Sequence, residues 1–167
     1  AGGGAGDAVT ALNLRLATQM KRLGLPWVAG MLARCTIEDR DGTPVPAAAR
    51  MVDDEGPGLT WRVFVEYEID DDVRADVVYH DECRDLVPDL TDPATVGCLL
   101  SLVREAYGDP SLYVRLSDTT RKSDGVRAWE VLGWLDPARS PDGRGGSWRG
   151  WGYASEAEAL IAALEGA

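Results

Sequence analysis

Apolar positions recur at helical spacing in three stretches of the chain. Between Ala8 and Leu23, Val9, Leu12, Leu16, Met20 and Leu23 form one stripe, which predicts a helix. Asp7 stands where an N-cap belongs, Lys21 and Arg22 occupy the last turn, and Gly24 and Pro26 stop continuation. A second helix is expected from Pro93 to Tyr107, with Asp92 as cap, Pro93 at the first helical position, and Gly108 and Pro110 beyond its end. Val96, Leu99, Leu100, Val103 and Tyr107 would face one way. The third runs from Glu156 to about Leu164, where Ser155 and Glu158 have the spacing of a capping box.

Elsewhere the period is two. Met31, Ala33, Cys35 and Ile37 alternate with Leu32, Arg34, Thr36 and Glu38, and Asp41-Gly42 offers a tight turn. A less regular strand follows near Ala47–Val52. The clearest strand places Leu59, Trp61, Val63, Val65, Tyr67 and Ile69 on one face, and Thr60, Arg62, Phe64, Glu66, Glu68 and Asp70 on the other. Asp70-Asp71-Asp72 reads as a turn, after which Val73, Ala75, Val77 and Tyr79 would continue the apolar face. Three more strands are expected at Leu112–Leu116, Val126–Trp134 and Ser147–Tyr153. Strands and helices do not alternate regularly. The expected fold is therefore α+β, with a mainly antiparallel sheet: a four-stranded meander over residues 31–80, about three further strands, and three helices. One domain over residues 1–167 suits the length, with 1–7 as a flexible lead-in and 92–166 as a C-terminal helix-strand-helix part.

Composition adds a charge and removes several functions. With 17 Lys plus Arg against 28 Asp plus Glu, the net charge is −11. It is unevenly placed: residues 36–92 hold 17 acids and 5 arginines, leaving about +1 on the rest. An acidic face of this kind does not bind a phosphate backbone or an anionic membrane. No stretch approaches 18 apolar residues, and Ala1–Gly6 has neither the basic nor the apolar region of a secretory signal. Three cysteines, Cys35, Cys83 and Cys98, are too few and odd in number for a disulfide framework, so a cytoplasmic location is expected.

Candidate chemistry is sparse. His80, the only histidine, lies near Asp76, Asp81, Glu82 and Cys83, but a zinc site wants spaced ligand pairs that the chain lacks. Asp39, Asp41, Asp70, Asp71 and Asp72 would gather at one end of the meander, and calcium favours such oxygen ligands, yet the calcium-loop spacing is missing. Solvated hairpin tips explain them, and neither a metal nor a cofactor is expected. The run Gly143–Gly152 fits neither phosphate-loop pattern, and acids already occupy the starts of all three helices.

Two surfaces remain for partner binding. Glu66, Glu68 and Asp70 would form a row of carboxylates about 6.6–6.8 Å apart, able to imitate a nucleic-acid backbone or engage a basic protein patch. Arg62 interrupts that row, and the ordinary role of such a face is solvation. In an extended strand Arg149, Trp151 and Tyr153 share a face, with Trp148 opposite. These are interface-anchor and base-stacking residue types, although the favoured expectation is that Trp148 and Trp151 pack on the sheet beside Trp129 and Trp134.

Pro88–Pro110 and Ser155–Glu165 resemble segments of small uncharacterised proteins borne by phages and prophages, the second being their usual C-terminal helix. The resemblance implies phage origin and an accessory role, and it brings no catalytic residues. Together these readings lead to a non-enzymatic factor of phage type that binds a host or phage protein. It would dock through Glu66, Glu68, Asp70, Asp71 and Asp72, with Arg149, Trp151 and Tyr153 as further contacts; a narrower form of the reading makes it an inhibitor of a host defence or nucleic-acid-binding protein. The alternatives are a small enzyme dependent on carboxylates or a divalent metal, and a phage structural or assembly component.

Overall fold

The computed structural model describes residues 5–38, 41–52, 62–79, 83–135, 137–138 and 142–167. Among them are three helices and eight strands, in the order α1 (Ala5–Leu23), β1 (Leu32–Glu38), β2 (Pro44–Val52), β3 (Arg62–Ile69), β4 (Asp72–Tyr79), β5 (Arg84–Pro88), α2 (Pro93–Tyr107), β6 (Tyr113–Thr120), β7 (Arg127–Leu135), β8 (Gly146–Tyr153) and α3 (Glu156–Glu165). The fold is α+β with two antiparallel sheets. No helix among the described residues is long and apolar enough to cross a membrane. The chain divides into two compact units, one holding residues up to Thr18 and Pro26–Cys98, the other Gln19–Leu25 and Leu99–Ala167.

The first unit is built on a five-stranded sheet of order β4-β3-β2-β1-β5. Ala33 and Cys35 of β1, Ala47, Ala49 and Met51 of β2 and Val65 of β3 are buried on one face, as period-two alternation requires. Three features depart from the sequence reading. The helix begins at Ala5, so Asp7 lies inside α1 rather than capping it. The sheet has a fifth strand: after β4 the chain crosses to the other edge and β5 pairs with β1. The β3–β4 turn has two residues, not three. Asp70 and Asp71 both adopt left-handed φ, +53° and +64°, and Ile69 pairs with Asp72. That register places Val73 and Ala75 beside Glu68 and Glu66, on the face opposite Val65, so β4 does not extend the apolar face.

Buried polar groups of this unit are paired. Asp92 caps α2, as its position before Pro93 implies, accepting from the Thr95 amide at 3.0 Å and hydroxyl at 2.9 Å. Arg50 clamps the same carboxylate and also donates to the Gly30 carbonyl. The Leu32 amide donates to Thr95 Oγ1 at 2.8 Å, which fastens the start of α2 to β1.

The second unit packs α3 against the three-stranded sheet β6-β7-β8. Ser155 caps α3 by accepting from the Glu158 amide, and Glu158 reaches back to the Ala154 amide, which completes the expected box one residue early. Ala159, Leu160, Ile161, Ala163 and Leu164 bury the helix's apolar side.

Candidate functional site

The second sheet has two unlike faces. One carries Val131, Gly133 and Trp148. Trp148 lies over Gly133 and stacks on Tyr107 with ring centroids 4.7 Å apart, and the Tyr107 hydroxyl donates to the Ala163 carbonyl of α3. This is the packed face.

The other face is open, and cross-strand register arranges it in rows. Arg115, Glu130 and Trp151 lie side by side across β6, β7 and β8. Tyr113, Leu132 and Arg149 form the next row, and Trp134 pairs with Ser147 in the third. Tyr113, Trp134 and Trp151 are exposed. Asp109, buried beneath the end of β7, accepts from the Trp134 amide and fixes that strand end.

The centre of the face is Glu130, only 1% exposed, whose two oxygens accept from Arg115 and Arg149. Both arginine side chains stay about half exposed, at 55% and 51%. Burial by itself would push the Glu130 carboxyl up, but hydrogen bonds from Arg115 and Arg149, and their charges, hold it below the ordinary carboxylate range. Arg115 is held more firmly protonated by the same bond. The Arg149 guanidinium also sits 5.9 Å above the Trp151 ring. The result is two oriented guanidiniums, a buried counter-ion with one charge to their two, and three exposed aromatic rings.

Chemically, the face offers hydrogen-bond-donating cations and aromatic rings to solvent. Glu130 is held as a carboxylate with both oxygens engaged by the two arginines. Arginine side chains donate hydrogen bonds without deprotonating.

The residues singled out in the sequence end in different places. Arg149 and Trp151 lie on the open face as expected. Tyr153 does not join them. A bulge at Gly152, which has φ +91°, places Trp151 opposite Glu130 but Tyr153 opposite Trp129. The Tyr153 ring turns to the packed face, 3.3 Å from where a Cβ on Gly150 would sit. Trp148 packs on the sheet with its ring stacked on Tyr107, whereas Trp134 and Trp151 stay about half exposed, Trp151 with its indole N–H directed at Ser117. In the first unit Glu66 and Glu68 are exposed on one face of β3, Glu66 between Ala48 and Ala75 and Glu68 beside Val73, whereas Asp70 leaves that row for the turn with Asp71. Asp72 starts β4 and lies 4.0 Å from Arg74, a surface pair of little energetic weight. Among the described residues no three His, Cys, Asp or Glu side chains gather at a metal-sized site. His80, Asp81, Glu82 and Asp39 lie outside the described residues.

Sequence reasoning missed Glu130, Arg115, Tyr113 and Trp134 as members of one surface. A signal was present: Glu130 is the one charged residue in the apolar strand run Ala128–Leu135, where a charge needs a partner. Comparison with protein-family models, curated proteins and solved structures returns no match for this chain.

Proposed function

We propose that the protein is a non-enzymatic binding protein that docks on a partner protein through the open face of β6-β7-β8. The observation carrying this reading is the buried Glu130 that holds Arg115 and Arg149 in place beside exposed Trp151, Trp134 and Tyr113. Trp, Tyr and Arg are the residue types that dominate interface energetics, and an arginine whose rotamer is already fixed loses less entropy on binding. The second unit carries 10 basic and 10 acidic residues, so the whole net charge of −11 resides in the first. On this face two arginines outweigh one glutamate. The partner it suits therefore presents carboxylates next to apolar side chains.

The test is affinity capture from source-cell extract with wild type and Trp151→Ala, both checked for folding by circular dichroism. A partner held by wild type and weakened about 30-fold or more by Trp151→Ala supports the reading. The same partners at the same yield from both proteins overturn it.

A second reading keeps Glu66 and Glu68 as the contact, favoured by the exposure of both and by the small residues Ala48 and Ala75 on either side of Glu66. Reversing both charges while leaving Trp151 intact separates the two: only the acidic-face reading expects binding to be lost.

A further inference from the structure

Two of the three cysteines are neighbours in space although 48 positions apart in the sequence. Cys35 lies on β1, on its buried face, and Cys83 immediately precedes β5, the strand paired with β1. Both are buried and both are free thiols; burial pushes the Cys35 thiol up, and the Cys83 side chain within hydrogen-bonding reach offsets part of that rise. The ladder between their strands is irregular at this point. Arg34 pairs with Val87 but Thr36 pairs with Arg84, and the extra residue is absorbed around Asp85, whose φ is +56°. The Cys98 thiol, by contrast, is directed at the Ala29 carbonyl.

We infer that Cys35 and Cys83 form a cross-strand dithiol that a small hydroperoxide converts into a disulfide stapling β5 to β1. The chemistry balances with hydrogen peroxide as oxidant. One thiolate attacks the peroxide, the O–O bond breaks, and a sulfenic acid and hydroxide form; the hydroxide takes up a proton as water. The second sulfur then attacks the sulfenic sulfur, the S–S bond closes and a second water leaves. Two thiols are oxidised by two electrons and one peroxide is reduced to two waters. Peroxide suits this pair because it is small enough to reach a buried sulfur, whereas a bulky disulfide reagent is not.

The placement gives the staple a consequence. The loop it would close, residues 36–82, contains β2, β3 and β4 and 14 of the 28 acidic residues. That segment repels itself, and its last strand ends where β5 must cross to the far edge of the sheet. A covalent tie at the irregular β1–β5 contact restricts the unfolded chain over a long loop.

The test uses the full chain carrying Cys98→Ser, which removes the unpaired thiol. After treatment with hydrogen peroxide and quenching, intact mass is expected to fall by about 2 Da. Trypsin should then release residues 35–40 joined to residues 75–84, and the melting temperature should rise by about 5–10 °C, reversed by dithiothreitol. Cys83→Ala in the same background should show neither the mass loss nor the reversible rise. Unchanged mass with two titratable thiols overturns the inference. So does a gain of oxygen mass without a cross-link, or a cross-link that lowers the melting temperature.

Discussion

Replacing Glu130 by Gln tests the platform at its centre. In the native protein one nearly fully buried carboxylate accepts charge-assisted hydrogen bonds from two guanidiniums. Such bonds contribute about 1.5–3 kcal/mol each. Two considerations lower the sum. The arginines are half exposed, so water compensates them when the carboxylate is gone. Gln also retains one oxygen that still accepts. Against this, its amide nitrogen faces a guanidinium, donor against donor. The expected loss is about 2–3 kcal/mol, or roughly 5–10 °C in melting temperature. Urea unfolding followed by tryptophan fluorescence at about pH 7, 5, 4 and 3 measures it. The sign of the pH dependence follows from the depressed Glu130 carboxyl. Its stabilisation is complete above the ordinary glutamate range and is lost as pH falls through the lower folded value. Protonated Glu has nearly the shape and charge of Gln, so the gap between the proteins should close on acidification. Asp89, Asp92 and Asp109 are depressed too, but they are common to both proteins and cancel in the difference. A gap that is absent at pH 7, or that stays constant or widens down to pH 3, would refute the reasoning.

Two further substitutions probe the frame around the site. Gly133→Ala places a Cβ 2.7 Å from Trp148 Nε1, so Trp148 must leave its stack on Tyr107; a cost of about 1–3 kcal/mol and loss of near-ultraviolet dichroism are expected. Asp71→Gly puts Asp-Gly in the two-residue β3–β4 turn, where Asp71 now holds φ +64°; a gain of about 0.5–1 kcal/mol in urea unfolding is expected.

What could be read from the sequence was local. All three helices were legible because their stripes and stop signals lie within a few residues of one another, and the caps at Asp92 and Ser155 are contacts at short range. The strand β5 was not. Arg84-Asp85-Leu86-Val87-Pro88 has no alternation, begins with charges and ends in proline, all features tolerated at a sheet edge and foreign to a central strand. Its existence depends on what β1 offers across the sheet. The face of β4 failed for a different reason. Three aspartates in a row suggested a three-residue turn, and a turn one residue shorter moves every side chain of the following strand to the other face. Tyr153 repeats the lesson at Gly152, where a single left-handed glycine reverses the alternation.

The open face of the second sheet was hidden because it is a property of register. Arg115, Glu130 and Arg149 are far apart in the chain, and each alone is an ordinary strand residue. Charge counting drew attention to residues 36–92, where the excess is, yet excess charge on exposed strands is cheaply solvated and need signify nothing beyond solubility. A single buried carboxylate is different. Its desolvation must be offset in the folded state, and here two arginines do so while leaving half of each side chain outward. A hydrophobic residue at position 130 would fill the same space without that demand, and without orienting Arg115 and Arg149 beside Trp151. What the glutamate adds, besides tying β6 and β8 to β7, is the fixed direction of two cations, and the proposed docking rests on that. This asymmetry, rather than the size of the net charge, is why the neutral half of the molecule carries the stronger claim to a binding surface.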